Sequence, residues 1–162
     1  MTTRRAAEAP MLDLTIRIAA PPAQVLKAFF DRDALGAWWQ VAHSVTSPRT
    51  LGPYVVEWQA TDFRDEVLGR LGGVFRGTVM HFQPERGFFV ADAFWLPPDG
   101  DPIGPMALDV RCTTVGRDSG ASTSLRVTQT GCDNSLRWRR YYEVIGYGWE
   151  RALASLKALL EH

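Results

Sequence analysis

Leu12, Leu14, Ile16 and Ile18 alternate with Asp13, Thr15 and Arg17, the period-two pattern of a strand with one buried face. Pro21 and Pro22 end that pattern and suit the first turn of a helix. Val25, Leu26, Phe29 and Phe30 then recur at three- and four-residue spacing, which predicts a short amphipathic helix. A second short helix holds Leu35, Trp38 and Trp39, with Asp31 or Asp33 as its cap.

Ser44 to Pro53 is rich in Ser, Thr, Pro and Gly and reads as a loop. Strands are predicted over 54–60, 74–83, 88–96, 106–115 and 122–130. They are separated by turn chemistry at Gly72-Gly73, Pro84 to Gly87, Pro97 to Gly100 and Asp118-Ser119-Gly120. Thr61 to Leu71 fits either a loop or a short helical turn. From Asp133 the period changes. Trp138, Tyr142, Ile145, Trp149, Ala152, Leu156 and Leu160 step by threes and fours, predicting one long helix capped by Asp133 or Asn134.

Strands joined by short turns make an antiparallel sheet with one apolar face, and the long helix must bury its stripe on that face. The expected class is α+β: a curved antiparallel sheet of about six strands around a long C-terminal helix, with two short helices after the first strand. Residues 11–162 read as a single domain, behind a frayed tail of residues 1–10.

Composition narrows the function. The 162 residues carry 18 basic and 18 acidic side chains, so no basic excess marks a nucleic-acid surface. No run approaches the roughly 18 apolar residues of a membrane span. Arg4 and Arg5 are followed by no apolar segment, so a secretory signal is not expected. Cys112 and Cys132 form no CxxC or Cys/His cluster; two reduced thiols in a cytoplasmic protein are the expectation, with a disulfide left open. His43, His81 and His162 have no ligand spacing, and no metal or cofactor is expected. Catalytic signatures such as GxSxG, HExxH or the phosphate-binding glycine loops are not found.

The candidate chemistry is therefore that of a pocket. Six tryptophans either fill the core or line a cavity between sheet and helix. Tyr54 and Trp58 share one strand face, Glu57 takes the opposite, solvated one, and Trp149 lies on the helix stripe. Gly146 and Gly148 cost the long helix roughly 1 kcal/mol each relative to Ala. They mark either a kink or close approach to the sheet, or room for a ligand. Gln129 shares parity with Leu125 and Val127 and points inward. Arg76 shares parity with Met80 and Phe82, so its guanidinium either turns inward to a partner or snorkels out. The hydroxyl of Tyr142 can turn into the pocket. His81 and Asp92 could meet across adjacent strands as an acid–base pair, an arrangement that outward sheet faces also produce without function. The candidate lining set is Trp38, Trp39, Tyr54, Trp58, Arg76, Met80, Phe94, Gln129, Tyr142 and Trp149.

Several ordered motifs carry a resemblance. Ala20-Pro21-Pro22-Ala23-Gln24-Val25 follows the first strand, Trp38-Trp39 forms a paired-aromatic segment, and Phe75-Arg76-Gly77-Thr78-Val79 is a glycine-containing strand. Pro84-Glu85-Arg86 marks a turn, and Gly148-Trp149 with Leu153, Leu156, Lys157 and Leu160 closes the chain. In this order they resemble the START/Bet v 1-like superfamily, and within it the branch named for the activator of heat-shock-protein-90 ATPase, over residues 12–161. Two departures stand out. The Thr61 to Gly73 segment is longer than a typical turn, and His81 replaces an acidic residue. The resemblance implies a helix-grip fold with a ligand cavity. The expected activity is binding of a small hydrophobic or aromatic molecule. A polyketide cyclase or aromatase-like enzyme and a chaperone-ATPase-activating interaction module are the alternatives, and a homodimer stays open. Neither nucleic acid nor membrane is an expected partner.

Overall fold

The computed structural model describes residues 11–116, 121–131 and 135–161. The expected tail, the Asp118-Ser119-Gly120 turn, Cys132, the two proposed caps Asp133 and Asn134, and His162 lie outside these residues.

Strand β1 (Leu12–Ile18) is followed by helices α1 (Pro22–Lys27) and α2 (Arg32–Trp39). Next come β2 (His43–Thr46), β3 (Pro53–Trp58), β4 (Arg64–Asp65), β5 (Gly69–Arg70), β6 (Gly73–Gln83), β7 (Gly87–Leu96), β8 (Ile103–Val115) and β9 (Ser122–Thr130). Helix α3 (Leu136–Leu160) closes the chain. Seven strands form one antiparallel sheet in the order β1-β9-β8-β7-β6-β3-β2, and β4 and β5 form a separate hairpin. This is the helix-grip architecture, with one strand more than expected in the main sheet. The extra strand is β2, in the segment read as a loop. It pairs with β3 from His43 opposite Glu57 to Thr46 opposite Tyr54, so a tertiary partner sets its conformation where local propensity does not.

The helix starts follow capping chemistry. The Asp31 carboxylate accepts the Ala34 N–H at 3.0 Å, worth about 1 kcal/mol, and Pro22 sits in the first turn of α1. Ser135 caps α3, its Oγ accepting the Trp138 N–H at 3.3 Å.

Helix α3 is tied down along its length. Near its start Arg137 donates to the carbonyls of Asp101 and Pro102. One turn on, Arg140 pairs with Asp65 at 2.7 Å, and the other Asp65 oxygen accepts the Val67 and Leu68 N–H groups at 3.0 Å each. Asp65 is only 4% exposed, so the hairpin is clipped to the helix by a buried carboxylate. At the far end Lys157 donates to the Arg17 carbonyl at 2.8 Å and Glu161 accepts the Ala19 N–H at 2.8 Å, fastening α3 to the end of β1.

Beneath α1 and α2 one end of the sheet is filled by aromatic rings. Phe29, Phe30, Tyr54, Phe82 and Phe88 meet edge-on or tilted at centroid separations of 4.8–5.5 Å. No helix among the described residues is long and apolar enough to cross a membrane.

Hydrogen bonding to Arg140 first, and then the two backbone N–H groups, hold the Asp65 carboxyl below its ordinary range against the opposing effect of burial. A carboxyl lowered on folding adds stability above its unfolded pKa of about 4, and that stability is lost as pH falls through the folded value. Thermal melts should therefore show the gap between wild type and Asp65→Asn widest at pH 6 and narrowing toward pH 3.

Candidate functional site

Between α2, the β4–β5 hairpin, α3 and the inner face of β3, β6 and β7 lies a solvent-open cleft of about 690 Å³. An inner recess of about 90 Å³ shares Trp39, Trp58, Phe75, Tyr141, Ile145 and Gly148 with it, so the two form one continuous space.

Each wall has a local cause. Trp38 and Trp39 end α2, stacked with ring centroids 5.0 Å apart and planes 8° from parallel. Trp38 sends its indole N–H to the Ala28 carbonyl at 2.9 Å and packs on Phe29, so it joins the filled end of the core to the cleft. Trp58 ends β3 and donates to the Trp39 carbonyl at 2.9 Å. Trp95 of β7 donates to the Gly72 carbonyl at 2.8 Å. Gly72 itself has φ +98°, and a Cβ there would collide with the Gln59 carbonyl, so this tight corner needs glycine. From the hairpin side come Leu68 and Leu71, which is the structural role of the long 61–73 segment. The middle of α3 contributes Tyr141, Val144, Ile145 and Gly148.

A buried polar network forms the inner floor. The Gln129 side chain, 2% exposed, accepts the Trp149 indole N–H at 3.1 Å. Its amide nitrogen donates to the Tyr141 hydroxyl and to the Met106 sulfur, both at 2.9 Å. Burial raises the Tyr141 hydroxyl above its ordinary pKa, with the Gln129 hydrogen bond opposing, so it stays protonated at neutral pH. Four indole N–H groups, those of Trp38, Trp58, Trp95 and Trp149, are thus spent inside the protein. What those four rings offer a guest is chiefly apolar surface.

Of the sequence candidates, Trp38, Trp39, Trp58, Gln129 and Trp149 come together around this space. The other five do not. Tyr54 is fully buried and fills the core, its hydroxyl donating to the Phe29 carbonyl at 2.9 Å. Tyr142 turns its hydroxyl to the Gly131 carbonyl at 3.0 Å, and its neighbour Tyr141 takes the cleft position. Arg76 is exposed and Met80 is 44% exposed, on the outer face of β6. Phe94 stands opposite Arg76 on that same outer face, covering Gly104.

The parity of these residues fails at bulges. The β6–β7 register shifts between Val79 and His81, so Phe82 turns inward against Phe30 while Arg76 and Met80 stay outward. In β7 the inner face runs Phe88, Val90, then Ala93, Trp95, because the register shifts at Asp92, which has φ 52°. That shift turns Phe94 out and brings Trp95 in. His81 lies opposite Phe89, not Asp92, so the suggested acid–base pair is not formed. At the helix glycines a Cβ at Gly146 or Gly148 would meet nothing within 4 Å, which overturns close approach to the sheet, and Gly148 lines the cleft. Sequence reasoning missed Tyr141, Trp95, Phe75 and Arg151. Tyr141 and Arg151 lie one helical step beside positions of the apolar stripe, a spacing that could have found them.

Fold and site together define a helix-grip protein with an aromatic cleft. The chain belongs to the Activator of Hsp90 ATPase homolog 1-like protein family, whose model matches residues 19–161. Similar solved structures include protein MLL2253 from Mesorhizobium loti, with TM-score 0.67 and 19% identity, covering 93% of this chain and 96% of that one. Protein CV1439 from Chromobacterium violaceum is similar with TM-score 0.62 and 22% identity, covering 94% and 98%. The Aha1 dimer from Colwellia psychrerythraea is similar with TM-score 0.61 and 19% identity, covering 93% and 96%. A comparison with curated proteins found no match.

Replacing Gln129 by Leu leaves the Trp149 N–H without its acceptor and the Tyr141 hydroxyl oxygen without its donor on the inner floor. Chemical denaturation should show a loss of about 2 kcal/mol, and the Trp149 contribution to fluorescence should change with it.

Proposed function

We propose that this protein binds a small hydrophobic or aromatic molecule in the cleft between α2, the β4–β5 hairpin and α3. The observation that carries this reading is a space of about 690 Å³ walled by aromatic faces, with the middle of the long helix left bare at Gly148. Sites for small molecules typically have this volume and this mostly apolar lining with a few placed polar groups.

A cyclase-like enzyme finds less support. Proton transfer needs an acid or base within reach of the bound molecule. Among the described residues lining the cleft and its recess there is no His, Cys, Asp, Glu or Lys. Arg76 faces solvent, Tyr142 is tied to Gly131, and the Gln129 amide is engaged with Trp149, Tyr141 and Met106. A chaperone contact rests on the family name alone, and function follows sites more than folds. A homodimer, after the Colwellia relative, and a cytoplasmic setting belong to the same proposal. The second is compatible with the Cys112 thiol, which burial pushes up to about 12 and keeps unreactive.

The direct test is titration of the tryptophan emission with a neutral aromatic probe, N-phenyl-1-naphthylamine, on wild type and Gly148→Leu. The wild type should show saturable quenching. The variant should lose most of it, because the new side chain grows into the cleft. Removing a helix glycine should also raise the melting temperature by about 2–4 °C. No saturable response from the wild type would overturn the reading.

A further inference from the structure

Resting on the cleft-binding reading above, we propose that the molecule held there is an organic anion, an aromatic or other apolar body carrying a carboxylate or sulfonate, with Arg151 as the group that receives its charge. Arg151 lies on the cleft face of α3, one turn after Gly148 and one turn before Ser155, and it lines the outer part of the space. It is the only charged side chain among the described residues that do so. It makes no ion pair or hydrogen bond with a carboxylate or any other side chain among the described residues, whereas Arg64, Arg111, Arg126 and Arg140 are all paired with acids.

The local geometry favours a role toward the cleft. Side chains on a helix lean toward its N-terminus, over the turn before their own Cα. For Arg151 that turn contains Gly148, where a side-chain atom would meet nothing within 4 Å. The guanidinium therefore has room over the one stretch of the helix that is bare. A second donor stands on the wall. Trp39 makes no hydrogen bond through its indole N–H to the described residues, and no buried side-chain nitrogen is left without a partner, so that N–H is reached by solvent.

The cleft thus offers unspent donors, among them the cationic Arg151 and the Trp39 indole N–H, and no carboxylate among the described lining residues to repel an anion. A neutral apolar guest such as a bare aromatic would gain chiefly the aromatic contacts. An anionic one adds a charge-assisted hydrogen bond at the mouth, and Arg is suited to it by its planar pair of N–H donors. A cationic guest would meet the guanidinium with nothing to balance it.

The test uses two probes that differ by one group: N-phenyl-1-naphthylamine, which is neutral, and 1-anilinonaphthalene-8-sulfonate, which adds the sulfonate. Both are titrated against the wild type, Arg151→Met and Arg151→Lys at low and high salt, with circular dichroism confirming that the variants are folded. The proposal predicts that the sulfonate binds several-fold tighter than the neutral probe, and weakens on the order of five- to tenfold in Arg151→Met. Arg151→Lys should recover part of the loss, rising salt should weaken only the anionic probe, and the neutral probe should bind all three proteins alike. If both probes bind equally and Arg151→Met leaves both unchanged, the anion site is overturned while cleft binding stands. Equal weakening of both probes by Arg151→Met would overturn it as well, since it would show a packing role only. If neither probe binds the wild type, the cleft reading falls and the anion site falls with it.

Discussion

A single helix cannot cover this sheet, and the rest of the structure follows from that mismatch. Seven strands spaced about 4.8 Å apart make a surface roughly 30 Å across, whereas a helix with its side chains is about 10 Å wide. The inner face is mostly apolar, from Leu12 and Ile18 of β1 to Tyr54 and Val56 of β3, so what α3 leaves bare must be covered by something else or stay open. One side is covered: α1 and α2 drive Phe29 and Phe30 against Tyr54, Phe82 and Phe88, a closely packed aromatic block. The other side is only roofed. There the hairpin is held to α3 by Asp65 and Arg140, and between roof and sheet the space persists.

How such a space survives is visible in the anchoring of α3. The helix is tied at its start to the β7–β8 connection, one turn later to the hairpin, and at its end to β1. With these ties in place the middle of the helix has no freedom to sink onto the sheet, and Gly148 removes the side chain that would otherwise fill the gap. The polar groups beneath are satisfied among themselves through Gln129, so the floor needs no guest to be stable. That combination leaves a preorganised cleft whose ring faces are open without first breaking protein hydrogen bonds.

Much of this was legible in residue order. The bounds of β1 and β9, the Asp31 cap and the helical stripe to Leu160 follow from alternation, capping chemistry and helical periodicity, which are local. The inward Gln129, the outward Glu57 and the cleft position of Trp58 follow from parity within one unbroken strand, and Trp149 follows from the helical stripe of α3, while Trp38 and Trp39 end the short helix α2. Where parity crosses a bulge it misleads: Arg76 and Met80 were placed with Phe82, and Phe94 with the inner face, because the shifts near Met80 and at Asp92 depend on pairing with a neighbouring strand. Strand β2 and the β4–β5 hairpin were hidden for the same reason, their conformation being fixed by partners and not by composition. Tyr141 replaced Tyr142 because a stripe read from sequence is wider than the face a helix finally presents to a cleft.

The central claim is that the tryptophans divide between those around an accessible space and those outside it. Tryptophan indole resonances, followed by two-dimensional proton–nitrogen NMR as N-phenyl-1-naphthylamine is added, test this most directly. The account predicts that the signals of Trp39, Trp58 and Trp149 move together and saturate while that of Trp138, which lies outside the cleft, stays in place. Movement of Trp138 alone, or no saturable movement of the other three, would contradict it.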